Sequence, residues 1–283
     1  MSQNMMKIDL SKCVGCGSCA IACKIGNNTP ERLGGQTFNR ADFITETTGL
    51  FPSTKWIALP VLCNHCDDPA CVAACPVAPI DDVNCVGGKR KAMYKLTAAN
   101  GGLVLHDNAR CIGCRACQRQ CPYSTANAGA SKANYSVISY HSVEPFGYLT
   151  DNSEAIAGCT SSEAEVRNTV GMTELAPAYK NDWTYVDVCG VTQNDVSRKG
   201  IVDKCHLCVH RLNDMTLAEP ERKPYCVLAC PAGVREIVTS VPAGAKVLAS
   251  KKYTNLRKVV LITPPTSGSS RPNVYYVGNF SFR

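Results

Sequence analysis

The sequence lacks long apolar runs. The longest ones, such as residues 56–63 and 259–262, are far shorter than the roughly 20 residues that a membrane-spanning helix needs. Residues 1–10 also lack the apolar centre of a secretory leader. We therefore expect no insertion into a membrane and a cytoplasmic location, with periplasmic export alongside a signal-bearing partner as the alternative.

Motifs of substrate chemistry are missing too. The sequence has no Walker loop, no G-x-G-x-x-G after a strand and no nucleophile elbow. No C-x-x-C is followed directly by histidine, which argues against a c-type haem. We therefore predict no catalytic residue in this chain and no catalysis by this chain alone.

Cysteine, in contrast, is abundant, with 19 residues in a chain of 283. Without a secretory leader, cysteines in such numbers favour metal ligands over disulfides. The third of four groups begins at Cys111 and ends at Cys121 and Pro122, with the spacing C-x2-C-x2-C-x3-C-P of bacterial ferredoxins, which bind [4Fe-4S] clusters. The first group has the same spacing, with Lys24 in place of the proline.

The other two groups have longer gaps. The second has the spacing C-x2-C-x4-C-x3-C-P, and the fourth consists of two short pairs separated by a long gap. Alone, the fourth group could be a structural zinc site, but its three neighbours favour an iron–sulfur cluster. The sixteen candidate ligands are Cys13, Cys16, Cys19, Cys23, Cys63, Cys66, Cys71, Cys75, Cys111, Cys114, Cys117, Cys121, Cys205, Cys208, Cys226 and Cys230.

Three cysteines, Cys85, Cys159 and Cys189, lie outside these groups. They could form an additional site. They are far apart in sequence, however, and free cysteines are often buried. We therefore interpret them as free thiols.

The charge pattern fits cofactors better than nucleic acid. The formal net charge is +7, but the basic residues form no tract with interleaved aromatics. A [4Fe-4S] cluster held by four thiolates carries about −2, so four clusters would contribute about −8. We interpret the basic excess as compensation for clusters and predict no binding of nucleic acid.

Histidines and basic residues lie beside the cysteine groups. His65, His206 and His210 are predicted to be hydrogen-bond donors around clusters or surface residues, because each group already has four thiolates. His106 and His141 have no companion that suggests a site. The basic residues could raise a cluster's reduction potential or be solvated charges, and both roles stay open for Lys12, Lys24, Arg110, Arg115, Arg119 and Lys204.

Predicted strands precede three of the groups, at residues 6–10, 55–62 and 103–105, and this recurrence indicates an internal repeat. Pro60 makes the second of them an edge strand. Residues 26–54 are predicted to be a long surface loop, and residues 80–100 to be rich in hairpins. Further predicted elements are strands at residues 135–140, 183–188, 246–248, 259–262 and 274–277 and a short helix within residues 154–166.

Taken together, the four groups resemble those of the iron–sulfur subunits of the dimethyl sulfoxide reductase family of molybdopterin oxidoreductases. Relatives in that family include subunits of polysulfide, thiosulfate, tetrathionate and arsenate reductases. The resemblance covers most of residues 5–130 and 200–240. It is especially clear in the run Cys-His-Leu-Cys-Val-His-Arg-Leu at residues 205–212 and near residues 271–280. Residues 131–200 are longer than expected for the family.

The resemblance implies an α+β fold of two interlocked ferredoxin-like modules, with an inserted segment and a short C-terminal β segment. Residues 1–58 and 201–240 would form one module, and residues 59–130 the other. Residues 131–200 would be the insertion, which we predict folds over the second module or against a partner without holding a cofactor. Residues 241–283 would close the chain as the C-terminal β segment.

The resemblance also implies which thiolates share a cluster. In a ferredoxin run the fourth cysteine ligates the other cluster of a pair. The family pairs the first group with the fourth, and the second with the third. Cys114 stands where some relatives have tryptophan and a three-iron cluster, so four [4Fe-4S] clusters are implied. Their ligands would be Cys13, Cys16, Cys19 and Cys230 (cluster 1); Cys205, Cys208, Cys226 and Cys23 (cluster 2); Cys63, Cys66, Cys71 and Cys121 (cluster 3); and Cys111, Cys114, Cys117 and Cys75 (cluster 4).

The implied function is electron transfer in anaerobic respiration. The chain would connect a large catalytic subunit, which holds a molybdenum or tungsten bis-pterin cofactor, to a quinol-linked membrane subunit or a soluble redox partner. Cluster 1 would lie nearest the catalytic subunit's metal. The alternative is a free-standing polyferredoxin. A third hypothesis, from a different functional class, is a zinc-stabilised scaffold.

Overall fold

The computed structural model describes residues 2–27, 29, 40–123, 137–140, 184–190, 192–194, 200–242, 256–257 and 272–277. The helix predicted within residues 154–166 and the strands predicted at residues 246–248 and 259–262 lie outside the described residues. So do Cys159 and His141.

Short elements make up the described chain. The helices are α1 (Ser18–Gly26), α2 (Ala70–Ala73), α3 (Ala116–Gln120), α4 (Val209–Leu212) and α5 (Tyr225–Leu228), with 3-10 turns at Leu10–Lys12, Val86–Gly88, Ala98–Asn100 and Glu219–Glu221. The strands are β1 (Ser2–Asp9), β2 (Ala41–Thr48), β3 (Lys55–Leu62), β4 (Ile80–Asp81), β5 (Lys89–Arg90), β6 (Met93–Lys95), β7 (Val104–His106), β8 (Ile138–Tyr140), β9 (Thr184–Val186), β10 (Thr192–Asn194), β11 (Val202–Lys204), β12 (Arg235–Pro242), β13 (Leu256–Arg257) and β14 (Val274–Val277). None of the described helices is long and apolar enough to cross a membrane.

One pairing rule recurs through the fold. Each cysteine group follows a strand, namely β1, β3, β7 or β11. Each of these strands pairs antiparallel with a strand that comes after a cysteine group: β1 with β12, β3 with β2, β7 with β6, and β11 with β8. The internal repeat predicted from the sequence is therefore confirmed, and it extends to the fourth group. Strands β3 and β7 pair with the strand immediately before them, whereas β1 and β11 pair with strands that are distant in sequence, so segments from the two ends of the chain lie side by side.

The largest described sheet has the order β12-β1-β14-β13. Strand β1 lies between β12, to which it is antiparallel, and β14, to which it is parallel. The strand predicted at Val274–Val277 is thus confirmed, and it belongs to the sheet that leads into the first cysteine group. Strand β12, which the sequence analysis did not predict, completes the same sheet next to Cys230.

The prediction of a long loop at residues 26–54 is wrong for its second half. Residues 41–48 form β2, which pairs antiparallel with β3 from Ala41 opposite Leu62 to Thr48 opposite Lys55. This stretch contains several β-branched residues, which suit a strand. Its polar appearance follows from its position as one strand of a two-stranded ribbon. Pro60 is tolerated in β3 because, in the described residues, β3 pairs on one side only.

Candidate metal centres

The four cysteine groups share one backbone conformation. In each, the residue two positions after the first cysteine has a positive φ: 66° at Gly15, 43° at His65, 68° at Gly113 and 57° at Leu207. This left-handed turn folds the loop back, so that backbone N–H groups point towards thiols. The N–H of Gly113 lies 3.4 Å from Cys111 Sγ, and that of Leu207 lies 3.3 Å from Cys205 Sγ. Such N–H donors stabilise thiolates around a metal.

Glycine is required at two of these turns by space as well as by φ. A Cβ on Gly15 would lie 2.0 Å from the ring of Trp56, and one on Gly113 would lie 1.9 Å from the carbonyl oxygen of Gly200. The other two turns use His65 and Leu207, side chains that rarely adopt positive φ. Such local strain is common where a loop is shaped by a functional site.

The first candidate site, site 1, is a cavity lined by Cys13, Cys16, Cys19 and Cys230. These are the four cysteines that the sequence analysis assigned to cluster 1. Cys16 is exposed. The N–H of Val234 lies 3.2 Å from Cys230 Sγ, so the fourth cysteine has a donor of its own.

Arg235 also lines this cavity and tests whether the site fits a cluster. Its residue exposure is 3%, and its three guanidinium nitrogens lie close to the thiols of Cys19 and Cys226 without a hydrogen bond of ordinary geometry among the described residues. Burial lowers the pKa of this guanidinium, but the negative charge of Cys226 and Cys19 outweighs it and raises the pKa. A buried cation with unsatisfied donors that faces thiols fits the sulfides of an iron–sulfur cluster, which accept hydrogen bonds.

Site 2 is formed by Cys23, Cys205, Cys208 and Cys226, all of which are buried. Burial, followed by the negative charge of Cys23 and of its two other neighbours in the site, raises the pKa of the Cys208 thiol. Asn27 lies among these thiols: its Nδ2 is 3.4 Å from Cys23 Sγ and 3.9 Å from Cys208 Sγ. The arrangement brings together the set assigned to cluster 2.

Site 3 is formed by Cys63, Cys66, Cys71 and Cys121, which are also all buried. Burial is the main reason that the pKa of the Cys71 thiol is raised, and the charges of Cys121, Cys63 and Cys66 act in the same direction. Cys121 comes from the third group, so the structure brings the fourth cysteine of one group to the other three of the second.

Site 4 is a second cavity, lined by Cys75, Cys111, Cys114 and Cys117. Cys114 is exposed. Burial, with the charge of Cys111 next in size, raises the pKa of Cys117 to about 12. Here Cys75 leaves its own group and joins the third, which is the reciprocal of the exchange at site 3.

The chemistry of these sites follows from their electrostatics. Buried thiols such as Cys208 at site 2 and Cys71 at site 3 have a raised pKa, because desolvation and mutual repulsion disfavour the thiolates. Cations placed among them reverse both effects, and metal binding then releases the protons. With four sulfurs at each site, and backbone N–H donors at sites 1, 2 and 4, the sites fit [4Fe-4S] clusters, which would supply one-electron redox chemistry.

Helix packing joins the groups in the same pairs. Helix α1, which carries Cys19 and Cys23, packs against α5, which carries Cys226. Helix α2, which carries Cys71, packs against α3, which carries Cys117. The first group is thus coupled to the fourth, and the second to the third.

The basic residues beside the groups have different roles. Arg119 donates to the carbonyl oxygen of Cys114 at 3.0 Å, and Arg115 donates to Gln118 Oε1 at 2.8 Å. Lys204 is buried, and it donates to the carbonyl oxygens of Val104 and Cys205. The remaining basic residues pair at the surface or with the backbone: Lys12 with Asp9 at 3.7 Å, Lys24 with the carbonyl oxygen of Thr29 at 3.0 Å, and Arg110 with that of Arg90 at 2.9 Å.

Lys204 differs from the other basic residues because its charge acts on thiols at two sites. Its positive charge lowers the pKa of Cys71 at site 3 and of Cys205 at site 2, although burial leaves both values raised. One buried cation therefore acts on two sites. Cys205 also feels the charge of Cys63, so sites 2 and 3 are electrostatic neighbours.

Two of the histidines are buried at the centres. His65 Nδ1 accepts a hydrogen bond of 3.1 Å from the N–H of Val104, and burial lowers the pKa of His65 well below its usual value. His106 lines site 4, and burial lowers its pKa to about 4. His206 lies 2.8 Å from Arg40, whose Nε also donates to Asp203 at 2.6 Å.

Sequence reasoning missed Arg235, Asn27 and Arg40. Arg235 follows the fourth group by several residues, and only the pairing of β12 with β1 brings it into site 1. Asn27 follows the first group at a helical spacing from Cys23, which is a signal that could have been used. Arg40 lies in the stretch predicted to be a loop, so nothing local marked it.

Comparisons with known proteins agree with this chemistry. A family described as a 4Fe-4S dicluster domain matches residues 54–137, and a 4Fe-4S binding domain matches residues 6–26. The chain is 32% identical to the iron–sulfur subunit ArrB of an arsenate respiratory reductase from Shewanella sp. (strain ANA-3), over 98% of this chain and 97% of the relative. It is 29% identical to a subunit of the selenate reductase of Mesobacillus selenatarsenatis, over 97% of this chain and 72% of the relative. A subunit of the sulfite dehydrogenase of Allochromatium vinosum is 28% identical over 83% of this chain and 68% of the relative.

Proposed function

The chain belongs to the iron–sulfur electron-transfer subunits of the molybdopterin oxidoreductase family, and we propose that it carries four [4Fe-4S] clusters at sites 1 to 4. Electrons pass through these clusters between two partner proteins. The residues of this chain hold the clusters, exclude water from sites 2 and 3, and set the charge around each site. No catalytic residue of its own is part of the proposal.

The single observation that carries the proposal is the reciprocal gathering of thiols. Cys230 lines the cavity of the first group, and Cys75 lines the cavity of the third. Cys23 and Cys121 are charge neighbours of the fourth and second groups, respectively. An exchange of fourth ligands is what a pair of ferredoxin runs requires.

We also propose the two-module architecture. The packing of α1 on α5 and of α2 on α3, with the long-range pairing of β1 and β12, supports two interlocked ferredoxin-like modules. The described part of the insertion contacts both modules. Strand β8 pairs with β11, which leads into the fourth group, and Gln118 of α3 donates to the carbonyl oxygen of Ile138 at 2.9 Å. The contact with α3 supports placement of the insertion over the second module.

The relatives are named as subunits of reductases and a dehydrogenase, which supports a complex between this chain and a catalytic subunit. We propose that this partner is a large subunit with a molybdenum or tungsten bis-pterin cofactor, and that it docks at site 1. At the other end, a quinol-linked membrane subunit or a soluble redox protein would exchange electrons with site 4. We propose folding in the cytoplasm, with export to the periplasm only in complex with a signal-bearing partner.

Iron analysis of the anaerobically purified chain tests the cluster number. Four clusters require about sixteen irons per chain and a brown absorbance that bleaches on reduction. Zinc in place of most of this iron would support the scaffold reading and contradict electron transfer. Co-purification of the native protein with a large pterin-containing subunit would separate the docked subunit from a free polyferredoxin.

Paired substitutions test the ligand exchange. If Cys75 and Cys111 hold one cluster, Cys75→Ser and Cys111→Ser each remove about four irons, and the double variant removes the same four. The pair Cys75→Ser and Cys63→Ser then affects two clusters and removes about eight irons in the double variant. The opposite pattern would place Cys75 with its own group and contradict the two-module assignment.

A further inference from the structure

A separate group of metal-ligating side chains lies outside the four sites. Asp82, Cys85 and Cys189 each offer one ligand atom, and these atoms all lie within 4.8 Å of one another. In the part of the chain that the structure describes, no other three metal-ligating side chains have ligand atoms this close together. We propose that Asp82, Cys85 and Cys189 supply three of the four ligands of a single zinc ion, with a water molecule as the fourth, and that this ion ties residues 187–190 to the hairpin of β4 and β5.

The distances favour one ion over a cluster or a disulfide. Cys85 Sγ lies 3.5 Å from Cys189 Sγ. Two thiolates on one tetrahedral zinc ion, at Zn–S distances of about 2.3 Å, lie about 3.8 Å apart. Sulfurs in a disulfide lie about 2.0 Å apart, and the thiolates of a [4Fe-4S] cluster are spread around its whole core. The observed separation matches a shared ion.

The hairpin supplies two of the ligands with the spacing of a zinc knuckle. Asp82 and Cys85 are separated by two residues, as in the C-x2-C half of many zinc sites. The N–H of Cys85 donates to the carbonyl oxygen of Asp82 at 3.1 Å, and that of Gly88 donates to the carbonyl oxygen of Cys85 at 3.0 Å. The carboxylate of Asp82 accepts from Arg90 Nε at 3.0 Å, which fixes its orientation.

A second tight turn presents Cys189. The N–H of Cys189 donates to Asp187 Oδ1 at 2.8 Å, and the N–H of Gly190 donates to the carbonyl oxygen of Asp187 at 2.9 Å. The other carboxylate oxygen of Asp187 accepts from the hydroxyl of Tyr94, which is fully buried in the core. Both halves of the site are therefore held in place without the ion, as a structural zinc site needs.

The charge of the neighbourhood suits a divalent cation. Asp82 and Asp187 both lie near the thiols, and Arg90 is shared between Asp82 and Asp107. Thiolate ligands favour zinc among the common divalent ions. The structure contains Cys85 and Cys189 as free thiols, as expected, and under this proposal they would bind the ion and bring the insertion into a metal site.

Elemental analysis of the full, cluster-loaded chain purified anaerobically with zinc ions present tests the proposal. We expect about one zinc per chain, as a single-ion site requires. Cys85→Ser and Cys189→Ser should each lose most of this zinc while iron content and cluster absorbance stay unchanged. Asp82→Asn should lower zinc occupancy, whereas its matched control, Asp81→Asn, should not, because the Asp81 side chain is 90% exposed and pairs with Lys89.

X-ray absorption at the zinc edge identifies the ligands despite the iron in the protein. Two sulfur neighbours at about 2.3 Å, reduced to one in Cys189→Ser, would support the site. Three results would overturn it: no zinc after incubation with zinc ions, zinc with only oxygen and nitrogen neighbours, or a mass two hydrogens lower that shows a disulfide between Cys85 and Cys189.

Discussion

Sites 1 and 4 differ from sites 2 and 3 in their contact with solvent. Each of the first two, the outer sites, is a cavity that includes an exposed cysteine, Cys16 or Cys114. The other two, the inner sites, are formed by buried cysteines alone. The inner sites are also neighbours, since the charge of Cys63 acts on Cys205 and raises its pKa.

The difference in exposure indicates that the outer and inner sites have different roles in electron transfer. An electron must enter and leave through a surface, which the outer sites provide. The inner sites are held in a dry environment, where a nearby charge acts more strongly than it does in water. We infer that partners meet the outer sites, and that fixed charges within the fold tune the inner ones.

The largest expected contrast is in the loss of a ligand. Cys205→Ser removes a buried thiolate, and we expect site 2 to lose its whole cluster, or about four irons, and the chain to unfold at a lower temperature. Cys16→Ser removes an exposed thiolate from site 1, where solvent can reach one corner of the cluster. We expect about one iron to be lost and a three-iron cluster to remain.

Iron analysis, electron paramagnetic resonance and thermal unfolding of the two variants measure this contrast. Equal iron loss from Cys205→Ser and Cys16→Ser would show that burial does not separate the outer sites from the inner ones.

The next effect concerns the buried cation between the inner sites. Lys204→Met removes a charge that acts on both Cys71 and Cys205, so the reduced clusters at sites 2 and 3 lose stabilisation. We expect both potentials to fall, each by about 60 mV, which is a tenfold change for a one-electron couple. Lys12→Met is the matched control, because the Lys12 side chain is 59% exposed and its charge is screened.

Potentiometric titrations of Lys204→Met and Lys12→Met decide this point. If the two variants shift the potentials alike, buried and exposed lysines are equivalent, and Lys204 has only a structural role.

A smaller effect distinguishes the two outer sites from each other. Arg235 is buried at site 1, whereas Arg115 at site 4 is exposed and stacks over Tyr140. Arg235→Lys keeps the charge but loses the planar set of donors, so we expect the potential of site 1 to fall by about 30 mV, the size of one hydrogen bond. Arg115→Lys should leave the reduction potential of site 4 unchanged within error. A larger potential shift at site 4 than at site 1 would contradict the stronger role that we assign to Arg235.

The smallest expected effect is the pH dependence of site 4. His106 has a pKa lowered to about 4, below its usual value, so it stays neutral above about pH 6. We expect the potential of site 4 to change little between pH 6 and 8. The stability that the neutral imidazole contributes is constant above its unfolded pKa and is lost as the pH falls towards 4. A slope near 60 mV per pH unit at site 4, removed by His106→Gln, would contradict this pKa.

Local patterns in the sequence predicted the parts of the molecule that are local. The cysteine groups, the strands that precede three of them and β14 follow from short runs of residue types, and the structure contains them. The exposed corner at Cys16 and the buried position of Cys71 do not follow from spacing, because both belong to the same kind of motif. Burial depends on what packs over a loop, and that is decided by distant segments.

The missed features all depend on pairing across the chain. The sequence of β2 predicts a polar loop, and only its pairing with β3 makes it a strand. Nothing near Arg235 in the sequence predicts burial, which follows from the pairing of β12 with β1. Cys85 and Cys189 are 104 residues apart, so their proximity could not be read from spacing. The ligand sets proposed for sites 1 to 4 rest on family resemblance, which carries such long-range information.

The pairing of β1 with β12 also sets an order of biogenesis. Met6 lies opposite Ile237, and Cys13 shares its cavity with Cys230, so the segment that carries the first cysteine group must wait for the segment with the fourth, which is made much later. The second and third groups are complete once Cys121 has been made. At about 5–20 residues per second, translation reaches Cys230 roughly 5–20 s later. The two sites formed by the second and third groups can therefore bind their clusters while the thiols of the first group are still unprotected. In the nascent chain it is these thiols of the first group, and not those of the second and third groups, that would need protection from oxygen, either by a chaperone or by a low-oxygen cytoplasm.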